Sequence, residues 1–275
     1  MGSFKLLMQW FLMAIPLAAA AQNGTEVLPK GARSLGMANT HLTLLEGWAI
    51  FNNVGAMAQV DESQVFVGYD HRLGLTELTT LGAGGVWKTS SGAWGLGLSS
   101  YGAAHFNQQA IGLGYSNKLG IASLGAKLTY FQTNIEGFGR SAAPLIELGG
   151  VAELGPNVLF GAHIYNLGRA RLSKLTQEYL PTVVKAGISY RPTDFFMINA
   201  EVEKEVYLDP LFKMGLEYSI QEKLDLRAGV HTHPEQMFFG IGFRPGRYRL
   251  DYAVSQHHQL GFTHHFSFNL LWNQP

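Results

Sequence analysis

The chain has 275 residues with 20 basic and 20 acidic side chains, so its formal net charge is zero, and charged residues make up only 15% of it. That balance offers no basic patch for nucleic acid, and the charged share falls below the usual quarter of a soluble domain. There is no cysteine, which excludes a disulfide framework, a thiolate zinc site and a cysteine nucleophile.

The chain opens with Lys5, an apolar run from Leu6 to Leu17, and a small-residue stretch from Ala18 to Ala21. A basic start, a short apolar run and an A-x-A end read as a secretory signal peptide over residues 1–21, cut near Ala21. Pro16 interrupts the run, which is too short to span a bilayer, and no later stretch reaches the ~18 consecutive apolar residues of a membrane helix. A sparsely charged secreted chain of this kind is either an apolar β protein or an outer-membrane barrel.

Residues 22–63 have a texture of their own. Within Gly31–Gln59, the residues Trp48, Ile50, Phe51, Val54 and Met57 fall near helical spacing, and Asn52 and Asn53 interrupt them. The expectation is a short extended piece followed by a short helix. If the rest of the chain closes into a barrel, this segment is a plug, with Gly31, Gly36, Trp48, Phe51, Asn52, Asn53 and Gly55 as its marked residues.

Past Gln64 the period is two rather than 3.6. In Tyr248–Ser255, one face carries Tyr248, Leu250, Tyr252 and Val254, and the other Arg249, Asp251 and Ser255. The spacing predicts about fourteen strands, each near the nine to eleven residues that cross a membrane at a tilt. They lie near 64–71, 77–88, 92–101, 106–116, 120–132, 144–154, 157–166, 181–191, 195–206, 211–220, 223–231, 235–244, 247–255 and 262–272. The last has His264, Phe266, Phe268, Leu270 and Trp272 on one face, an aromatic edge that a soluble sheet would not leave open. The expected fold is therefore all-β: a transmembrane antiparallel β-barrel over 64–275 in which the last strand closes on the first.

Connections alternate in length. Tight turns fall at Thr89–Ser91, Asn117–Leu119, Gly155–Pro156, Pro192–Asp194, Gln221–Glu222 and Pro245–Gly246; longer loops are expected at Thr133–Ala143, Gly168–Leu180 and Gln256–Gly261. Short turns mark the periplasmic side of an outer-membrane barrel.

With the apolar face turned to lipid, the inward face carries Lys185, Arg191, Glu201, Glu203, Glu205, Lys213, Glu217, Asp225, Arg227, Arg249 and Asp251. Both signs occur on neighbouring strands, so they can pair across the sheet. A mixed-sign interior suits a filled lumen, and structural pairing rather than chemistry is its expected role. Inward glycines (Gly95, Gly97, Gly112, Gly114, Gly187, Gly215, Gly229, Gly240 and Gly242) would let a plug come close to the wall.

No G-x-S-x-G, H-E-x-x-H or P-loop lysine motif is present. His231 and His233 stand two apart and could share a face, making them weak metal candidates beside an extracellular loop. Ser255 and His257 have the residue types of a barrel phospholipase, but nothing orients the histidine. No catalytic residue and no cofactor is expected.

Several stretches carry a family likeness: "VKAGISYRP" at 184–192, "GLEY" at 215–218, "LRAGVH" at 226–231, "GIGFRPGRYRLDYAV" at 240–254 and "LGFTHHFSFNL" at 260–270, after a glycine–alanine box at 31–38 and Asn52-Asn53-Val54-Gly55-Ala56-Met57-Ala58. In this order they resemble the PorV/PorQ group of Bacteroidota outer-membrane proteins, within the wider FadL-like barrels. At the place of residues 52–58 that group has an Asn-Pro-Ala-Gly-Leu-Ala motif, whose proline, and the tight turn it would set, this chain lacks. The resemblance implies a fourteen-stranded barrel with an N-terminal plug and a role as shuttle or accessory subunit of a type IX-like secretion system or an envelope-assembly machine. The alternative it leaves open is a FadL-like plugged channel for hydrophobic small molecules. Either way the expected location is the outer membrane of a Gram-negative bacterium. The expected partners are lipopolysaccharide, phospholipid and, for the first reading, other envelope proteins.

Overall fold

The computed structural model describes residues 28–172, 179–232, 235–257 and 261–272. The expected signal peptide, His233 and the tip of the 168–180 loop lie outside the described residues.

Fourteen strands form one closed antiparallel barrel. The first seven are β1 (Ser63–Arg72), β2 (Thr79–Thr89), β3 (Gly92–Gly102), β4 (Phe106–Leu119), β5 (Ala122–Ile135), β6 (Gly139–Gly155) and β7 (Val158–Tyr165). The others are β8 (Val183–Thr193), β9 (Phe196–Glu205), β10 (Leu211–Ile220), β11 (Leu224–Thr232), β12 (Glu235–Phe243), β13 (Tyr248–His257) and β14 (Gly261–Trp272). Each pairs with its neighbour in sequence, and β1 pairs with β14 from Ser63↔Trp272 to Arg72↔Thr263. The fold expectation is met, including the closing role of the aromatic last strand. Closure leaves every strand paired on both sides, as hydrocarbon surroundings require.

Side chains are sorted in the reverse of a soluble protein. Ile111, Leu113, Leu128, Phe212, Met214, Phe239 and Phe266 are exposed on the outside, whereas Lys127, Glu147, Glu203, Lys213, Asp225 and Arg227 are buried inside. Period-two alternation produces both faces at once. Among the described residues, no helix is long and apolar enough to cross a membrane.

One connection differs from the expected pattern. The stretch 133–143 is not a long loop: β5 and β6 run 14 and 17 residues and stay in register from Thr133↔Ser141 to Ile135↔Gly139. Gly137 and Gly139, both at positive φ, make a tight turn confined to the tip. The strands outrun the membrane-crossing length, so this hairpin projects beyond the barrel rim.

Inside the barrel, the segment before β1 folds into α1 (Ala32–Leu35), α2 (Ala49–Asn52) and a 3-10 helix, Val54–Gln59. The expected extended piece is instead a one-turn helix followed by tight turns, with Leu35 N donating to Gly31 O and Asn39 N to Ser34 O. Gly31 begins it at φ +81°, and a Cβ there would stand 2.7 Å from Trp48 Cγ. Positive φ and the indole ring each demand glycine at this point.

Candidate functional site

The candidate site is the plugged lumen. On the β2–β6 side the plug is apolar and the wall is small. Trp48 packs on Phe66 at 4.3 Å between ring centroids and lies against Gly68 and Gly82. Ile50, Val54 and Met57 pack against Gly95 and Gly114, and Phe51 against Gly97. At Gly55 the two backbones meet: a Cβ there would lie 2.5 Å from both Gly149 O and Gly150 Cα. Asn53 fixes this approach, its Nδ2 donating to Leu42 O (2.8 Å) and Gly150 O (3.0 Å) and its Oδ1 accepting from Gly55 N (3.2 Å). The last bond is a side-chain turn at the start of the 3-10 helix.

On the β8–β14 side the plug is held by polar groups. Arg33 donates to both oxygens of Glu217 (2.8 and 2.5 Å) and to Glu46 (3.1 Å). Leu42 N donates to Glu201 Oε1 (2.6 Å), Asn199 Nδ2 to Thr40 O (3.3 Å) and Arg191 Nη2 to Thr43 O (3.4 Å). Trp48 Nε1 donates to Asn269 Oδ1 (2.9 Å) and Ala32 N to Ser267 Oγ (3.1 Å). Close approach occurs here too: a Cβ on Gly229 would come 2.6 Å from Ala38 N. Burial raises the carboxyl pKa of Glu46, and the adjacent Arg33 works against that rise. His41 is buried with neither ring nitrogen hydrogen-bonded. Burial, and then the charges of Lys185 and Lys213, push its pKa well below the ordinary imidazole value.

The inward charges divide into two groups. Toward the loop rim, Glu203 pairs with Lys213 and with Lys185 (3.5 Å). Toward the turn rim, Arg227 binds Glu217 (2.6 Å), Asp251 (2.7 Å) and Asp225 (3.1 Å), and Arg244 binds Asp225 (2.5 Å). Glu205 and Arg249 are half-buried. Two further groups carried no sequence-level mark. Glu147 joins Lys127 (2.9 Å) and His163 (3.3 Å) on β5–β7, and Asp70 joins His265 (2.9 Å) across the β1–β14 closure. Their partners lie on neighbouring strands, so only the finished register brings them together.

The remaining marked residues fall as follows. Gly36 touches Gly240 backbone to backbone, and Asn52 Nδ2 donates to Lys30 O (2.9 Å). His231 sits near the end of β11, as the strand expected at 223–231 placed it, and is buried and packed on Phe238. Among the described residues, no group of His, Cys, Asp or Glu could hold a metal ion. Ser255 is buried and turned inward, so it cannot face lipid as a phospholipase serine must.

Between Phe51, Phe131, Lys127, Glu147 and Tyr165 a cavity of about 10 Å³ remains, near the least that holds one water. Above it, Phe131, Leu145, Tyr165, Leu180 and Val183 form a buried apolar cluster against Leu28 and Leu172.

No family model and no curated protein matches the chain. Solved structures do. The CymD monoaromatic hydrocarbon channel superposes with TM-score 0.70 at 12% identity, over 90% of this chain and 99% of that one. The P. putida toluene transporter TodX gives 0.68 at 13%, over 89% and 99%. A Pseudomonas aeruginosa FadL homologue gives 0.64 at 13%, over 90% and 99%. In fold, then, the chain is a plugged β-barrel of the FadL-like outer-membrane type.

Proposed function

We propose that the protein is a plugged outer-membrane channel through which hydrophobic small molecules enter the cell. One observation carries this reading: about nine-tenths of this chain superposes on hydrocarbon channels that are themselves matched almost end to end. The apolar cluster around Phe131, Leu145 and Tyr165 gives a hydrophobic solute a surface to enter along. The plug below it closes the way to polar solutes and ions. Passage requires the plug to shift, because the space beside Phe51 is far below the ~300 Å³ of a small-molecule site.

The same wall suits the second reading, an accessory subunit of a secretion machine, less well. That reading rests on the PorV/PorQ-like stretches at 184–192, 215–218, 226–231 and 240–254. These fall in β8 and β10–β13, and the further stretches at 260–270, 31–38 and 52–58 fall in β14 and the plug. The signal peptide over residues 1–21 and the envelope partners belong to the proposal as well.

The test is uptake by a Gram-negative host lacking its own channels for hydrophobic compounds. Expression of the full chain should raise entry of radiolabelled toluene severalfold and leave entry of glycerol unchanged. Equal toluene entry with and without the protein would remove the channel reading. Fixed-ratio co-purification with a larger envelope protein, in the absence of uptake, would install the accessory reading in its place.

A further inference from the structure

A larger concavity lies on the outside of the barrel, a groove of about 490 Å³ across the wall formed by β1 and β11–β14. Two register rows make its banks. Val67, Phe268, Leu250, Phe243 and Leu224 stand opposite one another along one row. Tyr69, Phe266, Tyr252 and Ile241 form the other. With strands ~4.8 Å apart the groove is about 19 Å long, and with rows two residues apart it is about 7 Å wide. These are the proportions of a single extended hydrocarbon chain rather than of a compact solute.

The floor is closed. It is the inward-facing row Gly68, Ser267, Asp251 and Gly242, whose strands keep an unbroken ladder. Nothing in the lumen can reach the groove through it, so its occupant comes from the bilayer. Along the loop-rim side of the second bank stand two tyrosine–histidine stacks, Tyr69 on His71 and Tyr252 on His264, the latter pair sharing a 2.8 Å hydrogen bond. At the β11 end the groove reaches the turn rim. Leu224 follows the exposed Lys223, and Phe243 leads through Arg244 to the exposed Arg247. Arg244 is already bound to Asp225 and Ser219, and Glu222 is the one acidic side chain of these two turns. Lys223 and Arg247 thus present positive charge at the depth of the turn-side headgroups.

We propose that this groove holds one acyl chain of a phospholipid from the turn-side leaflet, its phosphate resting on Lys223 and Arg247. The aromatic banks give the chain contacts on both sides that disordered lipid would not supply. The exposed cations select the anionic headgroup.

The test is native mass spectrometry of the intact protein in mild detergent, titrated with dioleoylphosphatidylglycerol. The wild-type chain should retain the lipid stoichiometrically. Leu250→Trp, or Ile241→Trp should the first fail to fold, fills the groove and should abolish retention. Lys223→Gln with Arg247→Gln should weaken it roughly tenfold. Leu128→Trp, exposed on β5 outside the groove, should leave it unchanged. The proposal is overturned if the groove-filling variants retain lipid as the wild type does, or if Leu128→Trp loses it equally. Binding of toluene in the groove, lost in Leu250→Trp while phospholipid retention persists, would also overturn it. None of these outcomes depends on whether the lumen conducts.

Discussion

The plug touches the wall in two different ways. Against β2–β6 it is seated by shape: Ile50, Val54 and Met57 fill the room left by Gly95 and Gly114, and Gly55 touches Gly149 and Gly150 with no side chain between. Against β8–β14 it is tethered by charge and hydrogen bond, from Arg33 to Glu217 and Glu46 and from Leu42 to Glu201. A shape contact tolerates no added atom. A polar tether tolerates exchange, provided no partner is left buried alone. If the plug moves, the glycine face is the natural seat and the charged face the natural release.

Four substitutions probe this difference, read as loss of amide hydrogen-exchange protection over residues 32–59, which reports local opening. Arg33→Ala should cost the most, about 3–5 kcal/mol, since it leaves Glu46 buried without its cation. Arg33→Met with Glu46→Leu should recover most of that loss. A double variant as damaged as the single one would remove the contrast. Gly55→Val should cost about 3 kcal/mol, because the backbone it meets cannot swing aside. Here no change at a second site should rescue it. Trp48→Phe keeps the ring against Phe66 and removes the bond to Asn269, for about 1 kcal/mol. Lys118→Ala breaks an exposed pair with Glu153 on the turn rim and should change protection by under ~0.5 kcal/mol.

The same contrast explains what could be read in the sequence. Strand parity was legible wherever charge opposed aromatics, as in β10 and β13, and it placed Glu217, Arg227 and Asp251 on the inside. It survived even in the glycine-rich β2–β4. The ion pairs of β5–β7 were not legible, because pairing of Lys127, Glu147 and His163 across strands is invisible before the register is known. The plug's composition marked it as separate. Its partners, such as Glu201 for Leu42 at a separation of 159 residues, could not be read locally. The hairpin at 133–143 was misjudged because Gly137 and Gly139 signal a turn without saying how far the ladder continues beneath it.

The central claim is that the plug, and not the wall, closes this barrel. Ion conductance across a planar bilayer tests it most directly, with the intact protein compared with a chain lacking residues 31–59. The intact protein should pass no current above that of bare lipid, and the shortened chain should open stable channels. Equal conductance from both would contradict the claim.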